Sequence, residues 1–177
     1  MLILAPYADT RKEDTEPTRL FLQGLPKDKY DVLRLHCLEN EDYFNYLGYY
    51  WGLGDFIVIE HDNLPTLEML DRLVSCKEIL CVQAYHKHFP EKDVCMHRKS
   101  INPVPDKAYA WLNEGEEWAD RWGLGVAKIT KAAQDMVNFQ DIPSYWMNID
   151  NELSKRYEAL GIKAHVHWPA AVHNHKG

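Results

Sequence analysis

The chain is short of cysteine: Cys37, Cys76, Cys81 and Cys95 are scattered, and no C-x-x-C pair occurs. That supports neither a zinc knuckle nor a thiol redox motif, and reduced thiols are the expected state. Basic residues are also few. Twenty Lys and Arg against 27 Asp and Glu leave a net charge of −7, which argues against a broad electrostatic grip on DNA or RNA. The one basic stretch, residues 86–100 (HKHFPEKDVCMHRKS), is broken by Glu91 and Asp93 and reads as a solvated loop. No apolar run approaches the ~20 residues of a membrane span. The opening MLILAPYADTRKED lacks both the basic flank and the apolar length of a secretory leader. The expectation is a cytoplasmic protein with no membrane partner. There is no internal repeat, low-complexity tract or linker, so residues 1–177 read as one domain.

What the chain has in quantity is apolar and aromatic surface. Apolar residues make up 46 % of it, with six Trp and ten Tyr, enough for a sizeable core. LILAPY reads as a buried strand and YDVLRLHC as a second. NEDYFNYLGYYWGLG follows helical spacing, and its late glycines suit a helix end. DFIVIE is unbroken apolar, the pattern of a parallel strand covered on both faces. LPTLEMLDRLVSC predicts a helix burying Leu67, Leu70, Leu73 and Val74, and EILCVQAY a further strand. Residues 86–107 read as a long irregular loop, and 107–122 as ambiguous between helix and loop. GLGVAKIT predicts a short strand and KAAQDMVNF a short helix. PSYWMNIDNELSKRYEALG predicts a helix with Trp146, Ile149, Leu153, Tyr157 and Leu160 on one face. The alternation predicts an α/β, Rossmann-like domain with a mainly parallel sheet flanked by helices.

The strand 56–59 runs straight into Glu60, His61 and Asp62. In open α/β sheets, ligands bind beyond the carboxyl ends of the strands. Two carboxylates flanking one residue there offer hard oxygens suited to Mg²⁺ or Mn²⁺. The competing reading is that Asp62 or Asn63 caps the helix that follows Pro65. Four of nine histidines, His165, His167, His173 and His175, fall in the last thirteen residues. An H-x-H pair on a strand places both rings on one face. Imidazole is a frequent ligand of divalent transition metals.

GDFIVIEHDNLPTLEMLDRL resembles the core segment of GT-A-fold glycosyltransferases, where a strand ends in an Asp-x-Asp-type motif followed by a proline and a helix. LILAPY is similar to the first strand of that fold, whose end contacts the nucleotide. GLGVAKITKAAQDM with YWMNIDNEL resembles its acceptor-side segment. HVHWPAAVHNH is similar to the tails of small viral and phage glycosyltransferases, including those that glycosylate hydroxymethylated cytosine in phage DNA. Two features depart from the pattern: the first acid is Glu, and the chain is much shorter than most such enzymes. The resemblance implies a GT-A-like domain and transfer of a sugar from a nucleotide-diphosphate sugar, UDP-sugar foremost, to an acceptor hydroxyl. It implies Mn²⁺ or Mg²⁺ held by Glu60, Asp62 and a tail histidine, His173 or His175. Donor contacts would come from Pro6, Tyr7, Glu60, His61 and Lys128, with Lys128 on a phosphate. Asp150 would be the base, with Glu152 as substitute. Trp146 and Trp168 are candidate stacking platforms. Two rivals stand beside this. One is a zinc-preferring hydrolase built on His165, His167, His173 and His175, with Asp62. The other is a non-catalytic viral accessory protein.

Overall fold

The computed structural model describes residues 1–9, 12–85, 96–97, 115–143 and 149–173. The first half alternates strand and helix: β1 (Leu2–Tyr7), α1 (Lys12–Gln23), β2 (Asp31–His36), α2 (Asn40–Tyr50), β3 (Phe56–Ile59), the two-residue β4 (Asn63–Leu64), α3 (Leu67–Ser75) and β5 (Leu80–Tyr85). Then come the short β6 (Met96–His97), β7 (Glu116–Ala119), β8 (Arg121–Trp122), β9 (Val126–Ile129), α4 (Lys131–Gln134), α5 (Ile149–Ala159) and β10 (Ala164–His173). In its described part the ambiguous stretch 107–122 forms the strands β7 and β8. The irregular stretch 86–107, apart from β6, lies outside the described residues, as do Cys95, Trp146 and His175.

The main sheet has the order β2-β1-β3-β9-β5-β10-β4, with β7 on β10. β1, β2, β3, β5 and β10 run in one direction, whereas β9, β7 and β4 run against them. The sheet is thus mixed, with mostly parallel strands. β9 enters antiparallel between β3 and β5, because the chain returns into the gap those two leave.

Phe56, Ile57, Val58 and Ile59 are all fully buried because both faces of the sheet are covered. Side chains alternate along a strand. Phe56 and Val58 pack in one core with Leu47 of α2 and with Leu153 and Tyr157 of α5. Ile57 and Ile59 pack in another with Leu22 of α1 and with Leu70 and Leu73 of α3. Helix α3 buries Met69, Leu70 and Leu73, while Leu67, expected in the stripe, is exposed. On α5, Ile149, Leu153 and Tyr157 are buried, but Leu160 sits past the helix end and is exposed. Gly161 follows in the left-handed region, φ 74°, where an L side chain would be strained. No helix among the described residues is long and apolar enough to cross a membrane.

Candidate functional site

The alternation that buries β3 also sorts the residues after it. Glu60 continues the parity of Phe56 and Val58, toward α2 and α5. There the Tyr43 hydroxyl donates to Glu60 Oε1 at 2.9 Å, and Asp150 at the start of α5 is close enough to couple electrostatically. His61 continues the parity of Ile57 and Ile59, toward α1. It lines a cleft with Pro6, Tyr7, Thr18, Arg19 and Arg34. Asp62 returns to the Glu60 side, and its charge acts on Glu60. A turn closed by the Asn63 N–H donating to the Glu60 carbonyl (3.1 Å) folds the two acids toward each other.

The capping role is filled elsewhere. Thr66 Oγ1 accepts from the Met69 N–H at 3.2 Å and is the N-cap of α3. Asp62 instead accepts from Asn63 Nδ2 at 3.1 Å. The acids are buttressed by β9. The Glu60 N–H donates to the Gly125 carbonyl at 2.9 Å, and the Gly125 N–H donates to the Tyr85 hydroxyl at 3.3 Å. A Cβ on Gly125 would sit 2.6 Å from Tyr85 Cζ and 2.8 Å from Asn63 Nδ2, so this approach requires glycine.

Burial first, then the charges of Asp62 and Asp150, push the Glu60 carboxyl up to about 8, although the Tyr43 hydrogen bond favours its ionised form. Asp150 is also raised by burial, partly offset by the Asn151 N–H donating to its Oδ1 at 2.6 Å. In the unfolded chain Glu60 titrates near the ordinary glutamate value of 4.5. Between there and about 8 the folded state holds a proton that the unfolded state has lost, so stability falls as pH rises. Glu60's contribution is complete below 4.5 and gone above 8. Glu60→Gln, melted in EDTA, is expected to match the native chain near pH 4 and to exceed it at pH 9 by on the order of 3 kcal/mol. Parallel stability curves for the two chains across that range would contradict this.

In the cleft, the Tyr7 ring stacks on His36 across the β1–β2 register, with centroids 4.8 Å apart and planes 9° apart. The Arg34 guanidinium lies over the same Tyr7 ring, 4.2 Å from its centroid. Thr18 Oγ1 donates to the Asn63 carbonyl at 3.0 Å, tying α1 to the acidic turn.

Several expected site residues are placed differently. Lys128 is buried on the α3 face, where Nζ donates to the carbonyls of Val74 (3.3 Å) and Cys76 (2.5 Å). It is committed there, away from the cleft lined by Pro6, Tyr7 and His61. Burial lowers its pKa. Glu152 pairs with Lys155 at 2.6 Å and is held below the ordinary carboxylate range by that contact. Two residues along a helix turn it ~200° from Asp150. Trp168 is core, its Nε1 donating to Glu117 Oε1 at 2.5 Å.

Of the tail histidines, His165 and His167 stand opposite β5, at Cys81 and Gln83, and His173 stands opposite Asn63 of β4. His175 lies outside the described residues, and so does the four-histidine hydrolase centre that includes it. His173 reaches the acidic turn at the backbone, where β10 pairs with β4 and sets it opposite Asn63, the residue after Asp62.

Residues missed in the sequence include Tyr43, Tyr85 and Arg34. Arg34 stands near the carboxyl end of β2, where strand-end reasoning applies as it did to Tyr7. The largest omission is a second cluster. Cys76, Cys81, His165 and His167 bring one ligand atom each to within 4.8 Å of one another. Cys76 and Cys81 form a disulfide in the structure, correcting the expectation of isolated thiols, while Cys37 is free. Its sequence signal was present as C-x₄-C joined to H-x-H.

No family model and no curated protein matches the chain. Among solved structures it is similar in fold to A197 from STIV, with a TM-score of 0.59 and 10 % identity over 95 % of this chain and 81 % of that one.

Proposed function

We propose that the chain is a nucleotide-sugar glycosyltransferase whose donor lies across the carboxyl ends of β1 and β3. One observation carries the reading. Glu60, Asp62 and Asp150 couple electrostatically at the end of β3, and a cleft lined by Pro6, Tyr7, Arg34 and His61 opens on the α1 side of the same strand end. The donor set fits a divalent cation. Two carboxylates from one turn raise each other's cost of ionisation, and hard oxygens suit Mn²⁺ or Mg²⁺. When bound, such an ion supplies charge neutralisation for a diphosphate leaving group. Glu60 and Asp62 hold it, with Tyr43 fixing the Glu60 carboxylate.

Pro6 and Tyr7 flank the nucleotide base or ribose. Arg34 takes the phosphate-facing charge that Lys128 cannot supply. Asp150 accepts the proton of the acceptor hydroxyl, and its buried carboxyl is a stronger base than an exposed one. A base opposite the leaving group inverts the sugar's anomeric centre. The acceptor is a hydroxyl-bearing molecule, with hydroxymethylated cytosine in DNA as the first candidate.

The test is a donor screen. UDP and UDP-sugars are expected to raise the melting temperature only with Mn²⁺ or Mg²⁺ present, since a ligand of the native state stabilises by mass action. The paired sugar is expected to release free nucleotide diphosphate, faster once modified DNA is added. No nucleotide-dependent shift with either ion would point to a non-catalytic accessory protein.

A further inference from the structure

We propose that the reduced chain binds one Zn²⁺ through Cys76, Cys81, His165 and His167, a structural centre separate from the acidic site. Cys81 lies in the core under α3, and β5 pairs with β10 so that Cys81 is opposite His165 and Gln83 opposite His167. Residues of equal parity share a face, so the two imidazoles and Cys81 project together, with Cys76 just past the end of α3 completing the set. Glu60 lies on the other face of the sheet. This inference therefore stands or falls independently of the proposed transferase.

The geometry suits tetrahedral zinc. Bond lengths of ~2.3 Å to sulfur and ~2.0 Å to nitrogen place neighbouring ligand atoms ~3.3–3.8 Å apart. Cys76 Sγ is already 3.3 Å from His165 Nδ1. His167 is 2 % exposed, yet neither of its ring nitrogens has a hydrogen-bond partner. A buried imidazole without a partner is costly, and a metal bond resolves it. Glu116 stands behind both rings, 3.4 Å from His165 Nε2 and 3.4 Å from His167 Nδ1. That is the position of the carboxylate that orients metal-bound histidines, and it leaves His165 Nδ1 and His167 Nε2 for the ion. Lys128 is buried with its ammonium on the Cys76 carbonyl. Two thiolates supply the countercharge this cation otherwise takes from backbone dipoles.

The disulfide and the zinc centre are alternative states of the same sulfurs. A dithiol reductant transfers two electrons and two protons to the disulfide, giving two thiols and the oxidised reductant. Metal binding then releases the two thiol protons to solvent. The ion would link α3, β5 and β10.

The experiment uses the full chain, reduced under anaerobic conditions with its free thiols counted, and titrated with Co²⁺ and then Zn²⁺ alone. The expected result is one thiolate-bound Co²⁺ per chain, counted from the thiolate-to-metal charge transfer and the intense visible bands of tetrahedral cobalt, and bleached by equimolar Zn²⁺. The signature is expected to persist in Cys37→Ser/Cys95→Ser and in Asp62→Asn, and to vanish in Cys76→Ser/Cys81→Ser. Glu116→Ala is expected to weaken Zn²⁺ binding ~10-fold or more while the ligands remain. Overturning results are a Cys76–Cys81 bond that resists excess reductant, a reduced native chain without the thiolate band, or a band that survives Cys76→Ser/Cys81→Ser.

Discussion

Asp62→Asn is expected to lose sugar transfer by ~10³-fold or more while the chain still folds. Charge stabilisation of a leaving diphosphate is worth several kcal/mol, and ~4 kcal/mol corresponds to ~10³ in rate. The substitution removes the charge and keeps the size of the side chain. Asn retains a carbonyl oxygen for the contact from Asn63 Nδ2, and the cap of α3 belongs to Thr66. Stability should hold or rise slightly, because one of the charges raising Glu60 is gone. The measurements are release of nucleotide diphosphate at saturating donor and Mn²⁺, and a thermal melt of the same preparation. Native turnover in a folded Asp62→Asn chain would remove the acidic turn from the chemistry.

The acidic turn was legible because its physics is local. A strand buried on both faces has no reason to meet three polar residues unless it has reached its end, and period-2 alternation then divides them between the faces. Helices α2, α3 and α5 were legible for the same reason, since their apolar spacing and end signals lie within a few residues. Three features needed the third dimension. The direction of β9 depends on the vacancy between β3 and β5, which no short window contains. The burial of Lys128 follows from that insertion, since its register opposite Ile57 and Cys81 turns the side chain under α3. The Cys76, Cys81, His165 and His167 cluster joins segments over eighty residues apart. Its parts are visible as C-x₄-C and H-x-H, but only the pairing of β5 with β10 makes them neighbours. The same strand carries its histidines to different neighbours, His165 to β5 and His173 to β4, which the H-x-H spacing alone does not reveal.

Asp150 and Glu152 were interchangeable as bases in the sequence, and the helix separates them. Asp150→Asn is expected to lower kcat by ~10²–10⁴-fold with little change in donor KM, the loss typical of a missing general base. Glu152→Gln is expected to leave kcat within about twofold. It removes a solvent-screened i,i+3 pair with Lys155 and no contact with the acidic turn. The pH profile separates a base from a merely structural acid. In the native chain kcat should climb with pH through a value above the ordinary aspartate range, because burial favours the protonated form and only the ionised form accepts the hydroxyl's proton. That limb should be absent from the residual activity of Asp150→Asn, since the titrating group is gone. A variant that is uniformly slower but keeps the same limb would assign the titration to another group and leave Asp150 only the role of shaping the start of α5.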